Sequence, residues 1–367
     1  MHFLILGNPG SERVTSFQSA LARLALPAAD FVSWEDFLSG RRSLPVHPDT
    51  LVRIESPGEN AEVERLLLRR GVEEEDERFN CPRTTAENFR EDYGRIRNPR
   101  QIYLGFRAVL RQIAGSGVRT MNPAPDIAIM MDKPSCHERL VHYGVSRPPV
   151  LGYPRSYDEL QPILTRMPRI FIKLANGSSA SGVIAFQTDG NRQLATTSIE
   201  REDARLYNSR RLRRYDDPQE IRRILDLLCR EGVLVEAWIP KASWSGRNFD
   251  LRVVVIGGRA CHVVARMSPS PITNLHLGRD NHRGDLAGLK AHLGEARWSA
   301  AMRTCEQALA TFPHSLYGGV DLLLSVDTRR TFIAEVNAFG DLVRRTFVDR
   351  RDPYEMEVLA AMEGVAT

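Results

Sequence analysis

Residues 318–337 read GGVDLLLSVDTRRTFIAEVN. Two apolar runs around a short polar turn are typical of a β-hairpin. If the hairpin folds about Thr328, Asp321 comes opposite Glu335, because each is seven residues from that point. Asn337 lies two residues beyond Glu335, so side-chain alternation puts both on one face of the strand. The sequence therefore predicts a hairpin that gathers two carboxylates and an amide oxygen on one side.

These three oxygen donors are of the kind that Mg²⁺ prefers. A magnesium site typically uses one or two carboxylates and completes its coordination with water and phosphate oxygens. The residues around the donors are strongly apolar, so the acids are expected at the boundary of a core. A surface hairpin with solvated acids is the alternative interpretation. The pattern favours a metal site formed by Asp321, Glu335 and Asn337.

The overall composition argues against several classes of protein. A chain of 367 residues with 42% hydrophobic and 26% charged residues is typical of a globular protein of two or three domains. No apolar run is long enough to span a membrane, and the first residues lack a basic segment with a cleavage site, so a cytoplasmic protein without membrane contact is expected. The five dispersed cysteines exclude a zinc ribbon and argue against a disulfide framework. The net charge is only +4, and no nucleic-acid-binding motif accompanies the basic run 210–214, so nucleic-acid binding is not expected.

The first 120 residues alternate between strand and helix patterns, which predicts a small open α/β unit. The predicted elements are strands at residues 2–7, 30–34 and 51–54 and helices at residues 14–24, 60–70 and 101–113.

A polar segment and a linker separate this unit from the rest of the chain. Residues 73–100 are rich in Arg and Glu and contain prolines, so an exposed excursion is expected, with the acidic run 73–77 solvated. Residues 121–126 contain two prolines followed by Asp, which predicts a linker and the start of a helix. A single helix is expected over residues 127–143.

A lysine and a flexible loop form the second chemical motif. Lys173 ends a predicted strand at residues 169–174 and directly precedes the Gly/Ser-rich residues 175–183. A lysine there can neutralise phosphate oxygens, while backbone N–H groups and hydroxyls close over them. The motif is not a Walker A loop, because the lysine precedes the loop and no Gly-Lys-Ser/Thr follows. A flexible turn with a surface lysine is the alternative.

The remaining predicted elements complete a second α/β region. They are a helix at residues 221–231, an apolar strand at 233–239, a hairpin at 250–267 with its turn at Gly257-Gly258, and a helix at 296–311.

The ordered set of motifs resembles an ATP-grasp ligase, most nearly of the RimK-like branch, which attaches amino acids to carboxylates. The resemblance covers residues 121–345 and rests on Asp132-Lys133, Phe171-Ile172-Lys173, the loop 177–182, Glu236-Ala237-Trp238-Ile239, Asp250-Leu251-Arg252, Arg266, Asn274 and the hairpin donors. It implies the α/β (α+β) ATP-grasp fold. The expected organisation is a pre-ATP-grasp domain at residues 1–120, a central lobe with a lid subdomain at 121–230, and a C-terminal lobe with the metal site at 231–367.

The resemblance also implies roles for single residues. Phosphate contacts come from Lys133 and Lys173, under a mobile loop that contains Gly177, Ser178, Ser179, Ser181 and Gly182. Adenine contacts come from Glu236, Ala237, Trp238 and Ile239. One or two Mg²⁺ ions, or Mn²⁺, are bound by Asp321, Glu335 and Asn337. The transferred phosphoryl group is approached by the catalytic candidates Arg252, Arg266 and Asn274.

The sequence departs from the family pattern at two points. No acid follows the adenine strand to hold the ribose, so Lys241 or Ser243 is expected to take that place. After Asn337, Phe339-Gly340-Asp341 replaces the usual small residue and proline, which weakens any substrate analogy.

The resemblance implies an ATP- and Mg²⁺-dependent ligase that joins a carboxylate to an amine, or to another nucleophile such as a thiol, through an acyl phosphate. Its partners would be small-molecule or peptide substrates, and a homodimer is an open alternative. Arg344 and Arg345 are further candidates to face the carboxylate, and the Arg-rich segment 200–215 is expected to recognise an acidic substrate. An ATP-grasp kinase and a nucleotide-binding regulatory protein without turnover are the other two hypotheses.

Overall fold

The computed structural model describes residues 1–89, 92–178, 180–278, 280–340, 343 and 345–364. The strands are β1 (His2–Gly7), β2 (Asp30–Ser33), β3 (Thr50–Ile54), β4 (Val150–Gly152), β5 (Arg169–Leu174), β6 (Ile184–Thr188), β7 (Gln193–Glu202), β8 (Arg205–Tyr215), β9 (Val233–Ala237), β10 (Ser243–Trp244), β11 (Arg247–Ile256), β12 (Arg259–Ser268), β13 (His282–Arg283), β14 (Tyr317–Leu324) and β15 (Thr331–Asn337). The α-helices are α1 (Glu12–Arg23), α2 (Trp34–Leu38), α3 (Ala61–Arg70), α4 (Pro99–Gly115), α5 (Ala124–Met130), α6 (Lys133–His142), α7 (Tyr157–Arg166), α8 (Pro218–Arg230), α9 (Leu286–Leu293), α10 (Glu295–Ala310) and α11 (Pro353–Met362). None of the helices in these ranges combines the length and the hydrophobicity of a membrane-spanning segment.

The first sheet has the order β2-β1-β3 with parallel neighbours, and the predicted alternation of strands and helices is present. Trp34 begins α2 instead of ending the strand before it, because the Ser33 side chain accepts a hydrogen bond from the Asp36 N–H and caps the helix. One face of the sheet packs in a core with α1, α11 and residues of the third sheet. The other face packs in the core that contains α3 and α4 and that also extends to the third sheet.

The second sheet has the order β4-β9-β5-β6-β7-β8 and packs against α7 and α8. Helix α8 presents Ile221, Ile224, Leu225 and Leu228 to this core. Gly232 ends the helical segment with a positive φ of 84°, which a glycine adopts without strain. Strand β9 ends at Ala237, earlier than expected, so Trp238 and Ile239 lie in the connection that follows.

The third sheet has the order β13-β12-β11-β14-β15 and contains both predicted hairpins. Gly257 and Gly258, with φ of 55° and 76°, form the turn between β11 and β12. In the hairpin of β14 and β15, Asp321 pairs with Glu335 as the sequence predicts. A register shift follows directly between Asp321 and Leu322.

The single helix expected over residues 127–143 is wrong, because two helices, α5 and α6, occupy this stretch. Pro134 lacks the N–H that a continuous helix would use at that position. The Asp132 side chain accepts a hydrogen bond from the Ser135 N–H and caps the new helix. Lys133 therefore stands at the first position of α6.

The segment 73–100 is only partly the exposed excursion that was expected. Glu73, Glu75 and Glu77 are exposed, but the side chains of Asp76 and Arg100 are 4% and 5% exposed. Arg100 Nη2 lies 2.8 Å from Asp76 Oδ1. This buried ion pair therefore joins the acidic segment to helix α4.

A buried ion cluster joins the first sheet to α11 and to the hairpin of β14 and β15. This hairpin carries the predicted metal ligands and is called the metal hairpin below. Arg53, which is 0% exposed, donates to Glu55 at 2.5 Å and also pairs with Glu357. The guanidinium lies 4.7 Å from the ring centres of both Phe17 and Tyr317. Burial raises the pKa of Glu357 to about 7, although Arg53 acts in the opposite direction.

We expect Arg53→Ala to lower the free energy of unfolding by about 3–5 kcal/mol, because it leaves two buried carboxylates without their cation. Urea unfolding followed by circular dichroism measures this loss. Arg41→Ala is the matched control, since Arg41 also pairs with two acids, Glu35 and Asp36, but at the surface, where the cost is about 0–1 kcal/mol. Equal losses in the two variants would contradict the role of the buried cluster.

Candidate active site

The metal hairpin presents its three predicted donors on one face. Asp321 and Glu335 are directly paired across the strands, and Asn337 is two residues further along β15. The Asn337 amide nitrogen donates to Gly319 O at 3.0 Å, so the amide oxygen is the atom left to bind a cation. The Glu335 side chain is 29% exposed and the Asp321 side chain 10%.

Asp321 is held by two arginines that were predicted as catalytic. Arg252 Nε lies 2.5 Å from Asp321 Oδ1, and Arg266 Nη2 lies 3.1 Å from Oδ2. All three side chains come from adjacent strands of the third sheet, β12, β11 and β14. The structure thus brings Arg252, Arg266 and Asp321 together, and a metal ion would have to share this carboxylate with the two guanidinium groups.

Asp250 extends the same chain of charges, although no role was predicted for it. It lies 2.6 Å from Arg266 Nε and 3.0 Å from Lys241 Nζ, and it accepts a hydrogen bond from Thr273. Burial disfavours the charged carboxylate, but Arg266 and Lys241 outweigh burial and hold the pKa of Asp250 below its usual range. The Asp-Leu-Arg sequence of 250–252 carried the signal, since alternation places Asp250 beside Arg252 on one face.

Lys241 and Asn274 lie next to this network. The Lys241 ammonium group has two partners, Asp250 and Thr273, so its role at a ribose stays a prediction. Asn274 lies in the loop after β12, beside Thr273, and accepts a hydrogen bond from the His276 N–H. Its approach to a phosphoryl group also stays a prediction.

Lys133 joins the hairpin to the Gly/Ser-rich loop. Its ammonium group lies 3.1 Å from Glu335 Oε1 and donates to Gly177 O at 2.5 Å. The Lys133 N–H donates to Ala175 O, which fixes the start of α6 beside the loop. One lysine therefore connects the predicted phosphate loop with a predicted metal ligand.

The loop itself is built for a tight backbone path. Gly182 has a φ of 66°, and a Cβ atom there would lie 2.5 Å from Leu174 Cδ1, so this position requires glycine. The Ser181 N–H donates to Ser178 O at 2.8 Å and closes a turn. Ser179 lies outside the described residues.

Lys173 of β5 and Glu236 of β9 form an ion pair in which only the glutamate is buried. Lys173 Nζ lies 2.5 Å from Glu236 Oε2, and the Glu236 side chain is 2% exposed. Arg147, which was not predicted, approaches the second oxygen at 3.3 Å. Burial raises the pKa of Glu236, but Lys173 and Arg147 act more strongly in sum and lower it. The sequence signal at Arg147 was an isolated charge before two prolines.

The predicted adenine residues lie beside an apolar cluster. Trp238 packs edge-on against Phe171 with ring centres 5.0 Å apart. The cluster joins the second sheet to the loop after β12 and consists of Phe171, Ala180, Val183, Ala185, Leu212, Trp238, Ile272 and Leu277. The Ala237 N–H donates to Pro149 O, so a base would have to use other backbone groups, such as those of Ile239.

In the part of the chain that the structure describes, the side chains of the remaining predicted arginines are not brought into contact with the site. Arg344 lies outside the described residues, and Arg345 is exposed. On β8, Arg210, Arg211, Arg213 and Arg214 are all exposed at the edge of the second sheet, and Arg213 pairs with Glu200.

A cavity of about 990 Å³ lies elsewhere, between the acidic segment 73–78 and α4, α5 and α6. Its lining includes Glu75, Arg107 and Asp132 but none of the predicted nucleotide or metal residues. The convergent cations and carboxylates, and not this cavity, therefore define the candidate site.

The side chains of the metal hairpin can supply only some of the ligands that Mg²⁺ requires. Within the described ranges, no group of three or more His, Cys, Asp or Glu side chains is arranged to hold a metal. Two acids and an amide oxygen remain, which suits an ion whose other ligands are water and phosphate. The same set is a poor fit for a structural zinc site, which uses four sulfur or nitrogen ligands.

Comparison with known proteins supports the ATP-grasp resemblance. The model of the YheC/D like ATP-grasp family matches residues 130–338, which is more than half of the chain. A comparison with curated proteins gives no match by sequence. None of the findings separates a RimK-like branch from the rest of the superfamily.

Solved structures with the same fold span the whole chain. D-cycloserine synthetase DcsG matches with 13% identity over 100% of both chains and a TM-score of 0.59. ATP-grasp ligase PsnB complexed with minimal precursor matches with 13% identity over 100% of both chains and a TM-score of 0.55. D-alanine–D-alanine ligase from Bacillus anthracis complexed with ATP matches with 11% identity, 100% of this chain, 97% of that chain and a TM-score of 0.52.

At these identities the structural likeness concerns the fold alone, and it agrees with the predicted α/β ATP-grasp class. The family model covers both lysine motifs and the whole metal hairpin. The chain belongs to the YheC/D-like family of ATP-grasp proteins.

Proposed function

We propose that the protein is an ATP- and Mg²⁺-dependent ligase that joins a carboxylate to an amine, or to another nucleophile such as a thiol. One observation carries the proposal: Lys133 contacts both Gly177 O and Glu335 Oε1. The Lys133 ammonium group therefore lies beside both the Gly/Ser-rich loop and a carboxylate of the kind that binds metal ions. Phosphoryl transfer from ATP requires such groups close together. Membership of the ATP-grasp family supports the same class of reaction, although a fold by itself does not fix a reaction.

In this proposal the residues act through position and charge. Asp321, Glu335 and Asn337 hold Mg²⁺, which when bound offsets phosphate charge. Lys133 and Lys173 bind phosphate oxygens. Arg252 and Arg266 lie beside Asp321 and stabilise the charge that builds up on the transferred phosphoryl group.

The reaction then needs no nucleophile from the protein. An oxygen of the substrate carboxylate attacks the γ-phosphorus, and the bond to ADP breaks, which gives an acyl phosphate. The nucleophile, an amine for example, attacks the carbonyl carbon, loses a proton and expels phosphate. The products are the amide, ADP and phosphate.

The proposal names only the chemical class of the substrates, a carboxylate and a nucleophile. The similar structures include one of a D-cycloserine synthetase and one of the ligase PsnB complexed with a precursor peptide, so both small molecules and peptides are open. The exposed arginines of β8 suit an acidic substrate, because a carboxylate binds well to guanidinium groups.

We expect Glu335→Gln to weaken Mg²⁺-ATP binding by about 10–100-fold, because it removes a charged ligand of the ion. Isothermal titration calorimetry with ATP and Mg²⁺ measures this change. The matched control is Glu295→Gln, which alters an exposed glutamate that pairs with Lys290. Unchanged affinity in Glu335→Gln, or an equal loss in both variants, would contradict the metal assignment.

We expect ADP release to need ATP and a carboxylate, and hydroxylamine to trap the acyl group as a hydroxamate. The reason is that the activated carbonyl forms before the amine attacks. A panel of acids and amines with mass spectrometry of the products makes the test. A stable phosphorylated product formed without any amine would identify a kinase, and ATP binding without any turnover would favour a regulatory protein.

A further inference from the structure

Arg147 stands where the two halves of the candidate site meet. The Ile333 N–H of β15 donates to Ser146 O at 2.8 Å, and the Ala237 N–H of β9 donates to Pro149 O at 2.9 Å. The short segment 146–149 therefore bridges the metal strand and the predicted adenine strand. Its one charged side chain is placed between them.

The Arg147 guanidinium is buried with few partners. Its side chain is 2% exposed, and Nη2 lies 3.3 Å from Glu236 Oε1. Among the described residues, neither Nε nor Nη1 has a hydrogen-bond partner. A buried charge that is poorly paired costs folding stability, so stability does not explain why a guanidinium occupies this place.

Nearby groups do not offer another reason for the charge. His137 packs in the same region, and burial lowers its pKa to about 4, so the imidazole is neutral at physiological pH. Its Nδ1 atom also has no partner in the part of the chain that the structure describes. Among the described residues, Glu236 is the acid with which Arg147 forms an ion pair.

The charges of Arg147, Lys173 and Glu236 suggest a role for Arg147. Arg147 and Lys173 each carry +1 and Glu236 carries −1, so the triad has a net charge of +1. Within the triad, the Lys173 side chain is 19% exposed to solvent, whereas the Arg147 side chain is 2% exposed. Without Arg147, the carboxylate would neutralise Lys173, and the pair would offer no net charge to an anion.

We propose that Arg147 is a positioning residue for the nucleotide site: it shares Glu236 with Lys173 and so keeps the lysine ammonium available to phosphate oxygens. This inference rests on the proposed binding of ATP. Arg147 itself is too deeply buried to touch the ligand, so it acts through Glu236. The effect should therefore depend on the phosphate groups of the ligand and not on its base.

The test compares wild type, Arg147→Met and Arg147→Lys for Mg²⁺-ATP, Mg²⁺-ADP and adenosine, with calorimetry and displacement titrations. We expect Arg147→Met to lose about tenfold in affinity for ATP and for ADP, but less than about twofold for adenosine. Arg147→Lys keeps the charge and should stay within about threefold of wild type. Thermal melting without ligand checks that each variant is folded.

A double-mutant cycle separates a charge effect from a disturbed fold. Glu236→Gln should abolish the influence of Arg147, because it leaves no carboxylate to neutralise Lys173. The double variant Arg147→Met/Glu236→Gln has the same net charge of +1 as wild type and should bind ATP more tightly than Arg147→Met alone. Equal losses for ATP and adenosine, additive losses in the cycle, or no loss in Arg147→Met would overturn the inference while ATP binding stands. Absence of ATP binding in wild type would overturn the proposed function and this inference together.

Discussion

The ion pair between Lys133 and Glu335 is the contact on which the site depends. It joins a residue at the first turn of α6 to the second strand of the metal hairpin, and the same ammonium group holds Gly177 of the loop. Because Pro134 and Asp132 end α5 and start α6, the lysine is delivered at a helix N-terminus and not in mid-helix. The metal hairpin and the Gly/Ser-rich loop are fixed relative to each other through this cation.

A surplus of buried cations around few carboxylates is the second feature of the site. Asp321 and Asp250 are shared by Arg252, Arg266 and Lys241, and Glu236 is shared by Arg147 and Lys173. In each group the cations outnumber the acids by one. Such a site attracts an anion of high charge, and a nucleoside triphosphate with its metal ion has that character.

Residue periodicity was enough to predict the local geometry. The pairing of Asp321 with Glu335 follows from counting residues about a turn, and the glycine turn at 257–258 follows from the conformational freedom of glycine. The helix break at Asp132 was missed because the apolar pattern continues across it, although Asp132 and Pro134 carried the signal. The partial burial of the acidic segment was missed because Asp76 needs Arg100, and the two are 24 residues apart.

The contribution of Arg147 could not be predicted, because it depends on contact between residues that are 89 positions apart in the chain. A sequence shows the positions of the charged residues along the chain. The packing of the sheets decides which acid pairs with which cation. The predicted motifs identified the ATP-grasp superfamily, while the partners of their side chains came from the fold.

The most direct test of the account is a crystal structure of the protein with Mn²⁺ and a non-hydrolysable ATP analogue, because Mn²⁺ scatters anomalously. If Asp321 and Glu335 hold the ion, an anomalous peak is expected about 2.0–2.2 Å from their side-chain oxygens, with phosphate oxygens completing the coordination. A nucleotide bound away from Lys133 and Lys173, or an ion that leaves both carboxylates untouched, would contradict it.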